Sequence, residues 1–302
     1  MTVQLPDPGH ACSQGKEVRR LQITASRLAT AIFTGEYRSA FRGRGIEFDQ
    51  VREYQPGDDV RSIDWNVTAR QGCPFVKRFV EERELTLIML IDRSPSMDFG
   101  TVRSTKLRTA TEAAALLAFA ALRSNDRTGL LSLGDGSLRY LGPGKGKRHT
   151  LRLVREAMTP EIAPLEGRGL MEAIDHLHRL LKGRAVVCIF SDFIEPLPFR
   201  SLASLAARHD VIAVALSDPA EHELPDAGLV MLGDPVTGTS VCLDSSDRAT
   251  REGYRLLTES RRLARKQEIV RAGAGYLDLG TQVSPLHALI GYFRDRCRGR
   301  RP

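Results

Sequence analysis

The chain has 302 residues, 42% of them apolar and 27% charged, and carries a formal net charge of +7. These proportions exclude wholesale disorder and leave room for one large α/β domain with an appendage. No uninterrupted apolar run reaches the roughly 20 residues of a spanning helix, and the first residues show no apolar core behind a basic start, so neither a membrane span nor a secretory signal is expected and the expected compartment is cytoplasmic.

Residues 1–15 are polar with Pro and Gly and read as a loose leader. From Lys16 to Phe33, apolar residues at Val18, Leu21, Ile23, Leu28, Ala29 and Ile32 fall close to helical spacing. Residues 35–84 then crowd charges of both signs among glycines, so 16–84 reads as a helix followed by a charged α+β arm with little core of its own. Within the arm, Pro56-Gly57-Asp58-Asp59 is a turn signal, and Asp58 or Asp59 is expected to cap a short helix through Ile63 and Val67. Phe75 to Val80 reads as a strand.

Residues 85–296 alternate element types in the manner of a mostly parallel sheet with helices on both faces, a Rossmann-type α/β domain. Leu85 to Ile91 is an apolar run short enough for a strand buried on both faces. Further strands are predicted at Thr128 to Leu133, Ser137 to Leu141, Ala185 to Phe190, Asp210 to Leu216 and Tyr276 to Leu279. Helices are predicted at Lys106 to Leu122, Arg148 to Met158, Leu170 to Leu181, Pro198 to Arg208, Ala249 to Ala272 and Leu286 to Arg296. Residues 217–246 read as irregular, and 297–302 as a basic tail.

In an open parallel sheet the functional crevice lies outside the carboxyl ends of the strands, where strand order reverses. Two loops bring carboxylates there: Asp92-Arg93-Ser94-Pro95-Ser96 after the first buried strand, and Ser191-Asp192 after a later one. Two hydroxyls and an anionic oxygen on one tight loop suit a single hard cation, and a second carboxylate would complete the charge balance. A plainer role stays open, in which Asp92 and Asp192 accept main-chain amides and Ser94 and Ser96 are caps.

The Asp-x-Ser-x-Ser loop at a buried strand end resembles the metal-ion-dependent adhesion site of von Willebrand A domains. There such a loop binds Mg²⁺ or Mn²⁺, and an acidic side chain of a partner protein completes the coordination shell. The resemblance implies Asp92, Ser94, Ser96 and Asp192 as metal ligands. It extends to the domain of unknown function 58 family, whose signature is similar to Gly43-Arg44-Gly45-Ile46-Glu47-Phe48, to Val51 through Trp65, to Ala69-Arg70 and to Phe79 through Glu84. Members of that family are typically encoded near MoxR-type AAA+ ATPases, which implies such an ATPase and its client as partners. The family's second site loop usually offers a Thr where this chain has Arg168. A guanidinium has no lone pair to give a metal, so either the remaining oxygens and water hold Mg²⁺ or Mn²⁺, or Arg168 makes a metal-free salt bridge in the same pocket.

Other chemistries lack a positive signal. Gly142 to Lys147 has the wrong spacing for a phosphate-binding loop and reads as a basic hairpin exit. The histidines and the five cysteines show no metal-ligand spacing, and no nucleophile elbow is present. The chain is therefore expected to be a non-catalytic interaction module or adaptor. A metal-dependent hydrolase in the same crevice is the alternative, and nucleic-acid binding through the arginines of residues 251–271 and the tail is a second one, without a recognised motif to accompany the charge.

Overall fold

The computed structural model describes Leu21 and residues 47–55, 58–59, 63–80, 85–134, 137–159, 169–233 and 238–298. The chain divides into two compact units, residues 41–84 and the remainder. Of the leader and the helix expected at Lys16 to Phe33, only the helical, buried Leu21 is among the described residues.

In the smaller unit, strand β1 (Glu47–Glu53) pairs antiparallel with β2 (Phe75–Val80), and between them lies helix α1 (Trp65–Gln71). The cap of α1 is Asp64 and not the expected Asp58 or Asp59: its Oδ1 accepts from the amides of Asn66 at 3.0 Å and Val67 at 3.3 Å. Ile63 lies outside the helix, in a bridge to Val76. Asp58 instead takes both Nη atoms of Arg52, at 2.6 and 2.8 Å, a fork that holds the turn against β1. Strand β1 escaped the sequence reading because its run, EFDQVRE, is mostly charged. Gly72 closes α1 at φ 77°, where a side chain would be strained.

The larger unit is built on a six-stranded sheet. Its members are β3 (Thr86–Asp92), β4 (Arg127–Gly134), β5 (Ser137–Gly144), β6 (Val186–Ser191), β7 (Asp210–Ser217) and, numbered after the β8–β9 hairpin below, β10 (Gly275–Gly280). Their order is β10-β7-β6-β3-β4-β5, and only the pairing of β4 with the edge strand β5 is antiparallel. In chain order this is the doubly wound 3-2-1-4-5-6 arrangement, with the reversal between β3 and β6. β3 is apolar on both faces because both are covered, and Leu87 to Ile91 are all buried.

Helices α2 (Lys106–Arg123), α3 (Gly146–Met158) and α7 (Pro285–Arg298) cover one face. Alanines at 110, 113, 114, 115, 118, 120 and 121 are buried in α2 and let it lie close to its neighbours. Helices α4 (Leu170–Leu180), α5 (Phe199–Arg208) and α6 (Arg248–Arg271) lie on the other face. Ile174 and Leu177 of α4 and Leu202 and Leu205 of α5 pack there with Ile88, Leu90 and Val187 of the sheet. The α/β architecture is thus the expected one.

Two further expectations are corrected. Residues 217–246 are not irregular throughout: β8 (Leu229–Gly233) and β9 (Ser240–Asp244) form an antiparallel hairpin, which the low share of buried positions obscured in sequence. The glycine-rich run at 142–147 leaves the β4–β5 hairpin only from Lys145 on, because β5 continues to Gly144 and Lys145 is the N-cap of α3. Cys73, Cys188 and Cys242 are free thiols, and burial pushes Cys188 up to about 12. No helix among the described residues is long and apolar enough to cross a membrane.

Just before the N-terminal end of β7, His209 is buried with neither ring nitrogen hydrogen-bonded among the described residues. Burial lowers its pKa, and the charges of Arg208, His178 and Arg184 lower it further. The unfolded chain therefore takes up a proton that the folded one refuses, so stability is lost as the pH falls through the ordinary histidine value, about 6.5, toward the folded one. His209→Leu is expected to flatten the urea-midpoint profile between about pH 7 and pH 5. An unchanged acid slope would show that another group sets it.

Candidate functional site

The C-terminal ends of β3 and β6 bring the two carboxylate loops together. Asp92 ends β3 with Oδ1 accepting from the Ser94 amide at 2.9 Å and Oδ2 from the Ser191 hydroxyl at 2.6 Å. Ser94 stands at the N-cap position of the 3₁₀ turn Pro95–Asp98, yet its hydroxyl caps nothing; it meets the Ser96 hydroxyl at 3.1 Å. Asp92, Ser94, Ser96 and Asp192 are all buried. The Asp192 Oδ1 accepts from the Ile194 amide at 3.3 Å. Between them Phe193 takes φ 50°, a strained backbone for a bulky residue, held by its amide bond to the Ser191 hydroxyl at 3.0 Å.

The intervening Arg93 points away from the crevice. Its guanidinium donates to the carbonyls of Glu156 at 2.7 Å, Ala157 at 3.0 Å and Thr159, closing the C-terminus of α3. Arg93 thus ties the loop to the end of α3 without being part of the oxygen cluster.

The cation that the structure places beside Asp192 is Lys106, the first residue of α2. Its ammonium lies 2.7 Å from Asp192 Oδ2 and 2.5 Å from Glu221 Oε1, and the whole side chain is inaccessible to solvent. Glu221 ends a short turn, Pro219–Glu221, where its other oxygen accepts from the Asp218 amide at 2.9 Å. Asp218 itself accepts from the Thr101 amide at 2.9 Å, the Ala220 amide at 3.0 Å and the hydroxyls of Thr101 and Thr281, both at 2.5 Å. Burial would raise the Asp218 pKa, but the threonine hydroxyls and the two amides outweigh it and hold the carboxyl below the usual carboxylate range. Arg168, the expected competitor for Asp192, lies outside the described residues.

Asp92 is electrostatically different. Burial raises its pKa, the Ser191 hydroxyl and Ser94 amide oppose that, and the charge of Asp192 adds to it, leaving Asp92 at about 6. Among the described residues the ammonium of Lys106 is bonded to Asp192 and Glu221 and not to Asp92, so a divalent ion beside Asp92 would supply a counter-charge there. The oxygens suit one. Adjacent ligands on an octahedral ion with bonds of about 2.1 Å are about 3 Å apart, and the Ser94 and Ser96 hydroxyls are 3.1 Å apart. Asp92, Ser94 and Ser96 thus fit Mg²⁺ or Mn²⁺, whereas Asp192 is already committed to an ammonium.

Lys106, Asp218, Glu221, Thr101 and Thr281 were not singled out from the sequence. Asp218 could have been, because it follows a buried strand just as Asp92 and Asp192 do. Lys106 could not, since a lysine opening a helix ordinarily reads as solvated.

An α/β domain with this strand order and an Asp-x-Ser-x-Ser loop at its switch point resembles the von Willebrand A domain. The chain belongs to the family described as protein of unknown function DUF58, whose model matches residues 50–264. It is 34% identical over 284 residues to the uncharacterized protein Rv1480 of Mycobacterium tuberculosis (strain ATCC 25618 / H37Rv), covering 93% of this chain and 89% of that one. A shorter match, 33% identical over 84 residues, covers 28% of this chain and 19% of the uncharacterized protein YeaD of Bacillus subtilis (strain 168). Among solved structures it is similar to the conserved hypothetical protein BatB from Bacteroides thetaiotaomicron, at 18% identity and TM-score 0.46, covering 71% of this chain and 99% of that one. It is also similar to the SpRpn10 VWA domain, at 13% identity and TM-score 0.41, covering 69% and 94%.

Proposed function

We propose that the larger unit is a non-catalytic interaction module whose crevice, with Mg²⁺ or Mn²⁺ held by Asp92, Ser94 and Ser96, receives an acidic group of a partner protein. The observation that carries this reading is the pair of buried hydroxyls beside a buried carboxylate that is paired with no cation among the described residues. The mouth supports it. Phe99, Val102, Met171 and Ile194 are exposed on loops or helix starts at the same edge, a concentration of apolar surface that suits protein contact. A cleft of about 400 Å³, lined by Met171, Glu172 and Glu195 among others, opens beside the Asp192 loop. The Asp192 and Glu221 carboxylates are both bonded to Lys106, which leaves neither placed as the general base a hydrolase needs.

Family membership supports a MoxR-type AAA+ ATPase, with its client, as the partner, in complex assembly or maturation in the cytoplasm. Calorimetric titration with Mg²⁺ and Mn²⁺ and co-purification with the ATPase test the two halves of the proposal. Asp92→Ala is expected to abolish the heat and to lower ATPase recovery at least about tenfold, the loss expected when a central contact worth about 1.4 kcal/mol or more goes. Wild-type protein that gives no heat with either ion removes the metal, and unchanged recovery removes the crevice as the docking point.

A further inference from the structure

Helix α6 is an amphipathic helix turned inside out. Its polar side faces the domain: Arg251 donates to the Ser245 carbonyl at 2.5 Å, Tyr254 to the Glu221 carbonyl at 3.2 Å and Thr258 to the His222 carbonyl at 3.1 Å. Further along, Arg262 donates to Asp278 at 2.5 Å and Arg265 to the main-chain carbonyl of Asp192 at 2.8 Å. These positions recur every three or four residues and so form one stripe, which Ile269, the one buried residue of the helix, continues. Opposite it, Leu256, Leu257, Leu263 and Val270 are 57%, 49%, 47% and 54% exposed. Leu256, Leu263 and Val270 are heptad-spaced, and Gly253, Ser260, Ala264 and Gln267 between them carry no charge. The apolar stripe therefore spans about 21 Å, four turns of helix.

The rim of the stripe is basic. Arg248, Arg255 and Lys266 flank one side and Arg261, beside Glu268, the other, with Arg271 at the C-terminal end of the stripe, all exposed. Of the three glutamates on the helix, Glu252 is paired with Arg255 and Glu259 with Arg262, and Glu268 is exposed, so the outward positions keep a net positive charge. This charge decides between occupants. In a two-fold antiparallel pair with a second copy centred on Leu263, Leu256 meets Val270 but Arg255 meets Arg271. The chain's own Lys16 to Phe33 segment brings Lys16, Arg19, Arg20 and Arg27 against a single Glu17, again like charge on like. An anionic lipid surface would find no Trp or Phe in the stripe to anchor it.

We infer that the outward stripe of α6 is a docking surface for an amphipathic partner helix whose leucine-type face is flanked by Asp or Glu. This surface is independent of the crevice reading, although its inner side is bonded to the same Asp192 and Glu221 segments. The probe is a labelled synthetic peptide of about 18 residues, long enough to match the stripe, with leucines at helical spacing and glutamate flanks, and a second peptide with lysine flanks. Fluorescence anisotropy with the full chain is expected to show saturable binding of the glutamate peptide and at least about tenfold weaker binding of the lysine peptide. Leu263→Glu is expected to weaken the glutamate peptide at least about tenfold, a hot-spot loss, while Asp92→Ala leaves it unchanged. Because residue 263 is exposed, an unaltered thermal melt will show that the variant folds. The inference is overturned by no binding, by equal binding of both peptides, or by binding that Leu263→Glu leaves intact. It is equally overturned if light scattering finds a dimer that Leu263→Glu dissolves, or if the stripe binds phosphatidylglycerol vesicles or duplex DNA in its place.

Discussion

Lys106→Met is expected to cost about 3–5 kcal/mol of folding stability, the penalty for removing one partner of a buried ion pair. The ammonium is fully buried and Asp192 is 5% exposed, so the carboxylate left behind cannot recover its solvation from water. Glu221 is 26% exposed and loses less. The methionine stem fills the same space, so the change isolates the charge from the packing. Adding Asp192→Asn to Lys106→Met should restore much of the loss, because the buried charge is removed along with its partner. The urea-unfolding double-mutant cycle therefore has a large coupling energy of favourable sign. A cost of under about 1 kcal/mol for Lys106→Met, typical of a solvated pair, would mean that the lysine reaches water and is not the internal cation of the crevice.

That ion pair also limits how far a resemblance can be carried. The loop from Asp92 to Ser96 was legible as a strand-end loop because it follows an unbroken apolar run, and the oxygen ligation proposed for it rests on its residue types and spacing. Asp192 was legible in the same way, as a carboxylate after a buried strand. What it does is settled by a residue 86 positions earlier, and nothing in the local pattern around Lys106 announces that its stem is covered. The strands of the sheet were legible because burial on both faces demands an unbroken apolar run, as in Leu87 to Ile91. β1 and the β8–β9 hairpin were not, since strands outside a core need no such run and Glu47–Glu53 is mostly charged. Helix α6 was legible as a helix, but which way its arginines face was not. The structure turns Arg251, Arg262 and Arg265 inward onto carbonyls and a carboxylate, which spends part of the charge that nucleic-acid binding would need.

Asp218→Ala is expected to be comparably severe, about 3–5 kcal/mol, by a different route. The carboxylate is the common acceptor for the Thr101 and Ala220 amides and the Thr101 and Thr281 hydroxyls. Its removal strands donors that are each costly to leave unpaired, about 1–3 kcal/mol apiece before relaxation. Hydroxyls can turn to other partners, but the amides of Thr101 and Ala220 cannot, and this sets the lower end of the range. Asp218→Asn keeps the shape and one acceptor oxygen, so it should cost less than alanine. The pH dependence follows from the depressed pKa of the native carboxyl. The unfolded chain takes up its proton near the ordinary value, about 3.9, and the folded chain only below that. The contribution of Asp218 is therefore present in full above the unfolded value and is lost as the pH falls through the folded one. In urea titrations between about pH 5 and pH 2, the wild type should lose stability with a limb that Asp218→Asn lacks. An identical acid limb in the two proteins would assign it to other carboxyls. The bonds to Asp218 tie the loop between Phe99 and Lys106 to the ends of β7 and β10, and the Lys106 amide donates to the Phe99 carbonyl at 2.9 Å. Hydrogen exchange at 99–106 should therefore accelerate in Asp218→Ala ahead of the sheet, because the cradle that holds Asp218 also fixes the start of α2 from which Lys106 reaches the crevice.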